Sequence, residues 1–199
     1  MPLSIIKMER VFKNEKGTAY LDRGIFTNKE LLKECINDVK DKLLERPEII
    51  IYGKICKQQR SVGFFSDNSC GYNYSNQIMQ STPLTPSLTN LITTINELLG
   101  ADYNGILINK YSDGNDTIGA HSDSQIGLDP AGVVSISYGC ERIFRIRNKI
   151  DKKIVHEELT THGSILVMGG DFQKHYTHEI PKQKKIKEER ISFTFRKHI

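Results

Sequence analysis

The sequence predicts a mainly β fold of the α+β class, a double-stranded β-helix or jelly roll with N-terminal flanking helices, and three observations lead there. From Tyr103 onward the chain breaks into short apolar runs separated by turn residues. Ahead of them stand two stretches whose apolar residues recur at helical spacing. No Gly/Ser/Pro-rich linker and no shift of composition divides the 199 residues, so both textures belong to one domain long enough to bury a real core. Short strands in that number close into a sandwich or barrel, and helices placed before them flank it.

Each element follows from its own signal. Thr27-Asn28-Lys29-Glu30 has the form of a capping box, and Leu31, Leu32, Cys35, Ile36, Val39, Leu43 and Leu44 keep helical spacing until Pro47 stops the pattern. A second helix starts at Thr85-Pro86, turns Leu88, Leu91, Ile92, Ile95, Leu98 and Leu99 inward, and closes at Gly100. Strands are predicted over 105–111, 133–138, 143–147, 154–159, 164–168, 176–180 and 191–196. The expected division is an N-terminal extension over about 1–102 and a jelly-roll core over about 103–199, within a single domain. The sequence contains no internal repeat.

Composition narrows the function classes. The formal charge of +4 permits a nucleic-acid partner without requiring one. Cys35, Cys56, Cys70 and Cys140 have no CxxC or other metal-ligand spacing, which reads as reduced thiols, some of them in the core. The start Met-Pro-Leu-Ser-Ile-Ile-Lys has no long apolar run and no later run reaches membrane-spanning length. The expectation is a soluble intracellular monomer, nuclear or cytoplasmic, with no secretory signal and no membrane partner.

His121-Ser122-Asp123, followed by His178, is the chemically telling pattern. Two imidazoles and one carboxylate can hold one face of an octahedral Fe(II) and leave positions open for a chelating co-substrate and O₂. His-x-Asp alone is weak, because polar residues gather around a loop such as 112–116 for turn reasons. Of the six histidines, His156, His162, His175 and His198 compete with His178. His175 stands three residues upstream, an odd offset that on a strand faces it the other way. Arg190 and Arg196 are six apart, so on one strand they share a face, about 20 Å apart at full extension. Only by their long side chains could such a pair converge on one small ligand.

The segment 106–123, Ile-Leu-Ile-Asn109-Lys-Tyr111-Ser-Asp-Gly-Asn-Asp-Thr-Ile-Gly-Ala-His121-Ser-Asp123, resembles the metal-binding core of the AlkB family of Fe(II)- and 2-oxoglutarate-dependent dioxygenases. The runs Ser135-Ile-Ser-Tyr-Gly139, His162-Gly-Ser-Ile-Leu-Val-Met168, His178-Glu-Ile-Pro181 and Arg190 to Arg196 match in the same order. Ile51-Tyr52-Gly53-Lys54 and Tyr72-Asn-Tyr74-Ser75 add a likeness to the eukaryotic branch that repairs double-stranded DNA. The resemblance implies Fe(II) on His121, Asp123 and His178, with Asn109 and Tyr111 among the hydrogen-bonding partners of 2-oxoglutarate. By the same resemblance Arg190 pairs with the distal carboxylate of the co-substrate and Arg196 with the carboxylate beside the keto group. Ser192 falls where the family often carries Asn.

The resemblance further implies oxidative dealkylation of an N-alkylated base, with release of succinate, CO₂ and an aldehyde. A base in a duplex must be flipped out to reach such a site. Tyr72, Tyr74 and Ser75 match the family's nucleotide-recognition lid, with Arg60 and Phe65 as neighbours, and Tyr52 matches a finger that fills the gap left by the flipped base. Lys184 and Lys185, in the run from Lys182 to Lys187, match a basic loop that grips phosphates. Gln125 departs from the usual acidic residue and lacks its attraction for a cationic lesion. The expected partner is therefore DNA with a flipped alkylated base. The alternatives are an RNA demethylase, another 2-oxoglutarate hydroxylase, or a nucleic-acid-binding protein without turnover, and the intact triad and both arginines argue against the last.

Overall fold

The computed structural model of the chain describes residues 7–51, 53–69, 71–74, 77–123 and 130–197, and the side chains of 51, 72–74, 77 and 78 are outside that description. In chain order the elements are β1 (Glu9–Lys13), β2 (Ala19–Ile25), α1 (Lys29–Val39), β3 (Glu48–Ile51), β4 (Lys54–Lys57), β5 (Ser61–Phe65), β6 (Gly71–Tyr74), β7 (Gln77–Gln80) and α2 (Pro86–Leu99). There follow β8 (Gly105–Tyr111), β9 (Ile118–His121), β10 (Val133–Gly139), β11 (Arg142–Asn148), β12 (Ile154–Thr160), β13 (Ser164–Gly170), α3 (Phe172–His175), β14 (Tyr176–Ile180) and β15 (Arg190–Arg196). All seven runs predicted after Tyr103 are strands.

A seven-stranded sheet in the order β1-β2-β13-β10-β15-β8-β5 faces a four-stranded sheet in the order β12-β11-β14-β9. Their ladders are antiparallel, and together they form the jelly roll. The N-terminal part does more than flank it, since β1, β2 and β5 are strands of the large sheet. Ala19 and Leu21 of β2 are fully buried while Tyr20 and Asp22 are less so, a period-2 signal absent from the expected strand list.

The helices depart from their sequence reading at two points. In α1 the cap is Asn28, whose Oδ1 accepts from the Leu31 N–H at 3.1 Å, so the helix begins one residue later than a Thr27 cap implies. It also ends at Val39, and one turn of 3₁₀ helix follows over Lys40–Lys42. Leu44 keeps its helical spacing but exchanges two backbone hydrogen bonds with Val62 of β5. Helix α2 matches its prediction: Thr85 caps it, Pro86 opens it and Gly100 closes it at φ 61°, a left-handed conformation that suits a residue without Cβ.

The large sheet is covered on both sides, and the alternation of β15 shows how. Ile191, Phe193 and Phe195 enter a core with Leu31, Leu32, Leu88, Leu91 and Ile95 of the helices. Burying aromatic and aliphatic side chains in this way stabilises by about 1.5–3 kcal/mol each. Arg190, Ser192, Thr194 and Arg196 occupy the alternate positions, so they face away from the helices and toward the small sheet. A second core of Leu21, Tyr111, Val133, Phe144, Ile146, Leu166 and Phe172 fills the space between the sheets beside them.

Candidate metal centre and co-substrate pocket

Between the sheets lies a small pocket whose lining includes Asn109, Tyr111, His121, His178, Arg190 and Ser192. One wall is set by strand register. Asn109 of β8 stands opposite Ser192 of β15 and Tyr111 opposite Arg190, while Ser135 of β10 stands opposite Thr194. Every one of these residues has the parity that points away from the helical core, which is why this wall is polar.

The opposite wall carries the histidines. His121 of β9 and His178 of β14 are a direct cross-strand pair, with ring centroids 4.3 Å apart. Asp123 follows β9 and lies 3.8 Å from His121 Nε2 through Oδ1 and 3.7 Å from His178 Nε2 through Oδ2. One ligand atom from each of the three can be chosen so that all lie within 4.8 Å of one another. His121 Nδ1 is 2.8 Å from the Gly119 carbonyl, an acceptor only, so Nδ1 carries the proton and Nε2 is left with its lone pair on the Asp123 side.

The electrostatics suit a divalent cation. Burial pushes the His178 imidazole down to about 3 and lowers that of His121, so both offer neutral nitrogen. Burial opposes the charge on Asp123, but the charge and hydrogen bond of Arg196 lead the effects that outweigh it and hold the carboxyl below its ordinary range. Asp123 Oδ1 accepts from Arg196 Nη2 at 2.6 Å in a fully buried pair. Its Oδ2 is buried with no hydrogen-bond partner among the described residues, and so is His178 Nδ1. A buried carboxylate oxygen left over in a ring of imidazoles is what a metal ligand looks like before its metal is counted.

Arg190 has the complementary vacancy. Its Nη2 donates to Ser137 Oγ at 2.9 Å, and its Cζ lies 5.3 Å from the Tyr111 ring centroid. Nε and Nη1 have no hydrogen-bond partner among the described residues, although the side chain is only 2% exposed. Arg196, the other arginine of the strand, places its guanidinium on Asp123.

Other expected residues are placed as follows. Arg60, expected in the lid, is 3% exposed and its Nε donates to Asn109 Oδ1 at 2.7 Å, so it braces the pocket wall. Phe65, its expected lid neighbour, is a residue of the helix-side core. Lys184 and Lys185 are exposed on the loop between β14 and β15 and do not line the pocket. Tyr52, Ser75 and Gln125 lie outside the described residues, and Tyr72 and Tyr74 belong to β6 with side chains outside them. His175 closes the single turn α3 rather than sitting on a strand, so the odd-offset argument against it fails even though it stays away from Asp123.

Three residues of the site were not singled out from the sequence. Ser137 receives Arg190, and the Phe144 ring stacks on His178 at 5.2 Å and 16°. Gln173 of α3 accepts the Asp123 N–H on Oε1 at 2.8 Å, fixing the main chain at the carboxylate. Period-2 patterning gives a face, and none of these contacts is local enough to show in it.

Comparison with known proteins gives concordant results. A family model described as the 2OG-Fe(II) oxygenase superfamily matches residues 18–196. The DNA oxidative demethylase ALKBH2 of Mus musculus is 30% identical over 159 residues, covering 75% of this chain and 66% of that protein. The alpha-ketoglutarate-dependent dioxygenase alkB homolog 3 of Rattus norvegicus is 33% identical over 135 residues, 63% of this chain and 46% of that one. The chain therefore spans about 66% of the length of the first relative and less than half of the second. The solved structure of OsALKBH1 superposes with a TM-score of 0.60 over 96% of this chain and 100% of that one, at 16% identity, which is a likeness of fold.

Proposed function

The chain belongs to the 2OG-Fe(II) oxygenase superfamily, as a member of its AlkB family, and from that premise we propose that it removes alkyl groups from the nitrogens of damaged DNA bases. His121, Asp123 and His178 would hold Fe(II), and Arg190 would take one carboxylate of 2-oxoglutarate. Asn109, Tyr111 and Ser192 line the path between them. When bound, iron with 2-oxoglutarate and O₂ supplies hydroxylation of the alkyl carbon, coupled to loss of CO₂ and formation of succinate. The hydroxylated N-alkyl group then falls apart to an aldehyde and the restored base, with no protein nucleophile.

The chain's own part is binding, orientation and exclusion of water. Arg196 keeps Asp123 charged and in place, and Gln173 fixes its backbone. The Gly119 carbonyl fixes the His121 tautomer, and Phe144, Ile118, Met168 and Ile180 give the pocket apolar sides. The observation that carries the reading is Arg190: a nearly inaccessible guanidinium whose Nε and Nη1 have no hydrogen-bond partner among the described residues, in the same pocket as His121 and His178. A small dianion satisfies it, and 2-oxoglutarate is one.

A duplex substrate is favoured by the hairpin β3–β4. Ile50 and Ile55 on it are 45% and 70% exposed, with Lys54 and Lys57 beside them, and Tyr52 lies between its strands in sequence. Apolar side chains displayed among cations suit a wedge entering a base stack. Tyr72, Tyr74, Ser75 and Gln125 are assigned to the flipped base, and the whole chain to one catalytic domain.

The test is to incubate purified protein with iron, ascorbate and 2-oxoglutarate on matched methylated oligonucleotides, single- and double-stranded, DNA and RNA, and to follow base masses. Loss of methyl from DNA, dependent on 2-oxoglutarate, is expected. Turnover confined to RNA would replace the substrate, and co-substrate consumption with no change in any oligonucleotide would remove nucleic acid from the reading.

A further inference from the structure

Arg142 at the start of β11 is fully buried, and among the described residues none of its hydrogen-bond acceptors is a carboxylate. Nη1 donates to the Asp113 carbonyl at 3.0 Å and Nη2 to the carbonyls of Asp116 at 2.8 Å and Pro181 at 2.9 Å. Nε donates to Gln183 Oε1 at 3.2 Å, and the same oxygen accepts the Ile143 N–H at 2.9 Å. One rigid guanidinium plane therefore fixes two loops against each other, the one that leads from β8 into β9 and the one that leads from β14 into β15.

Backbone contacts tighten the same junction. Gln183 N–H donates to the Gly114 carbonyl at 2.8 Å and Gly114 N–H to the Ile186 carbonyl at 3.0 Å. Gln183 and Ile186 are themselves the ends of a turn, closed by Ile186 N–H to the Gln183 carbonyl at 2.9 Å. Position 114 has no room for a side chain, because a Cβ there would stand 1.9 Å from the Gln183 carbonyl oxygen. The two central residues of this anchored turn are Lys184 and Lys185, both exposed, with Lys182 and Lys187 exposed on either side. Like charges on neighbouring residues of one loop repel one another, and a loop without such a base would spread.

We propose that Arg142 is a positioning residue for nucleic-acid binding: through Gln183 and the 113–116 loop it fixes the turn that presents Lys184 and Lys185 to neighbouring phosphates. This rests on the reading of a nucleic-acid substrate. Two lysines held together at a turn tip neutralise two phosphates at fixed spacing, whereas the same lysines on a spread loop act singly. Arg142 would then set the affinity for the strand, while touching the co-substrate pocket only through the Tyr111 ring, 5.6 Å from its Cζ.

The experiment measures binding of a labelled duplex oligonucleotide at several salt concentrations, with 2-oxoglutarate affinity of the manganese-loaded protein in parallel. The variants are Arg142→Lys, Gln183→Ala and the double variant Lys184→Ala/Lys185→Ala. The double variant should flatten the salt dependence by about 2 in logarithmic slope, and Arg142→Lys by about 1–2, with 2-oxoglutarate affinity unchanged. Gln183→Ala keeps the backbone exchange with Gly114 and should act in the same direction with smaller effect, so it serves if Arg142→Lys does not fold. A flattened slope for the double variant with wild-type slopes for both clasp variants overturns the role of Arg142 alone. An unchanged slope for the double variant overturns the phosphate contact and the clasp's purpose with it. Loss of 2-oxoglutarate affinity in Arg142→Lys would place the residue in the co-substrate site and also overturn the proposal.

Discussion

Arg190 and Arg196 lie on one strand with the same parity, yet they meet different partners, Ser137 and Asp123. Arg196 is half of a buried ion pair with Asp123, and removing one partner of such a pair costs about 3–5 kcal/mol. Arg196→Ala should therefore lower both folding stability and metal affinity, read by denaturant unfolding and cobalt titration. Arg190→Ala should leave cobalt binding intact and weaken 2-oxoglutarate about ten- to a hundredfold, the equivalent of a charged hydrogen bond of about 1.5–3 kcal/mol. Equal loss of metal affinity in both variants would contradict this division. His178 supplies a pH test. Its imidazole stays neutral down to about 3 in the fold, against an ordinary value of 6.5, so below 6.5 the unfolded chain binds the extra proton. The metal-free protein should lose stability as pH falls through that window, with Tm lower at about pH 5.5 than at about pH 7.5 and the difference reduced in His178→Asn. A difference as large in the variant would assign the loss to other groups.

At the scale of elements, α2 could be read to the residue because its end signals are chemical: a hydroxyl cap, a proline at the first turn and a glycine past the last. Helix α1 could not. Leu43 and Leu44 continue the helical spacing, but a backbone pairing with Val62 claims Leu44, and periodicity does not distinguish a helical residue from an apolar residue used by a sheet. The hairpin β3–β4 carries the test for duplex substrates. Stacking in place of a flipped base matters only where a partner strand leaves a gap. Tyr52→Ala should then reduce turnover on double-stranded DNA and largely spare single strands, as measured by base masses on matched oligonucleotides. Equal losses on both would remove the finger.

At the scale of the whole molecule, closing two sheets on each other makes the site. The small sheet brings His121 and His178 side by side across β9 and β14, and the large sheet brings Tyr111 and Arg190 side by side across β8 and β15. Packing at roughly 10 Å between sheets leaves a pocket rather than a filled core where the facing residues are polar. The grouping of His121, Asp123 and His178 and the shared face of Arg190 and Arg196 were legible in the sequence, because ligand chemistry selects residue types and the strand period fixes their side. What the sequence could not give was the partner of each group: Arg196 on Asp123, Arg60 on Asn109, Gln173 under Asp123 and Arg142 across two loops. Those partners are 26–73 residues apart along the chain. A local pattern determines which way a side chain faces, and only the closure of the sheets determines what it meets there.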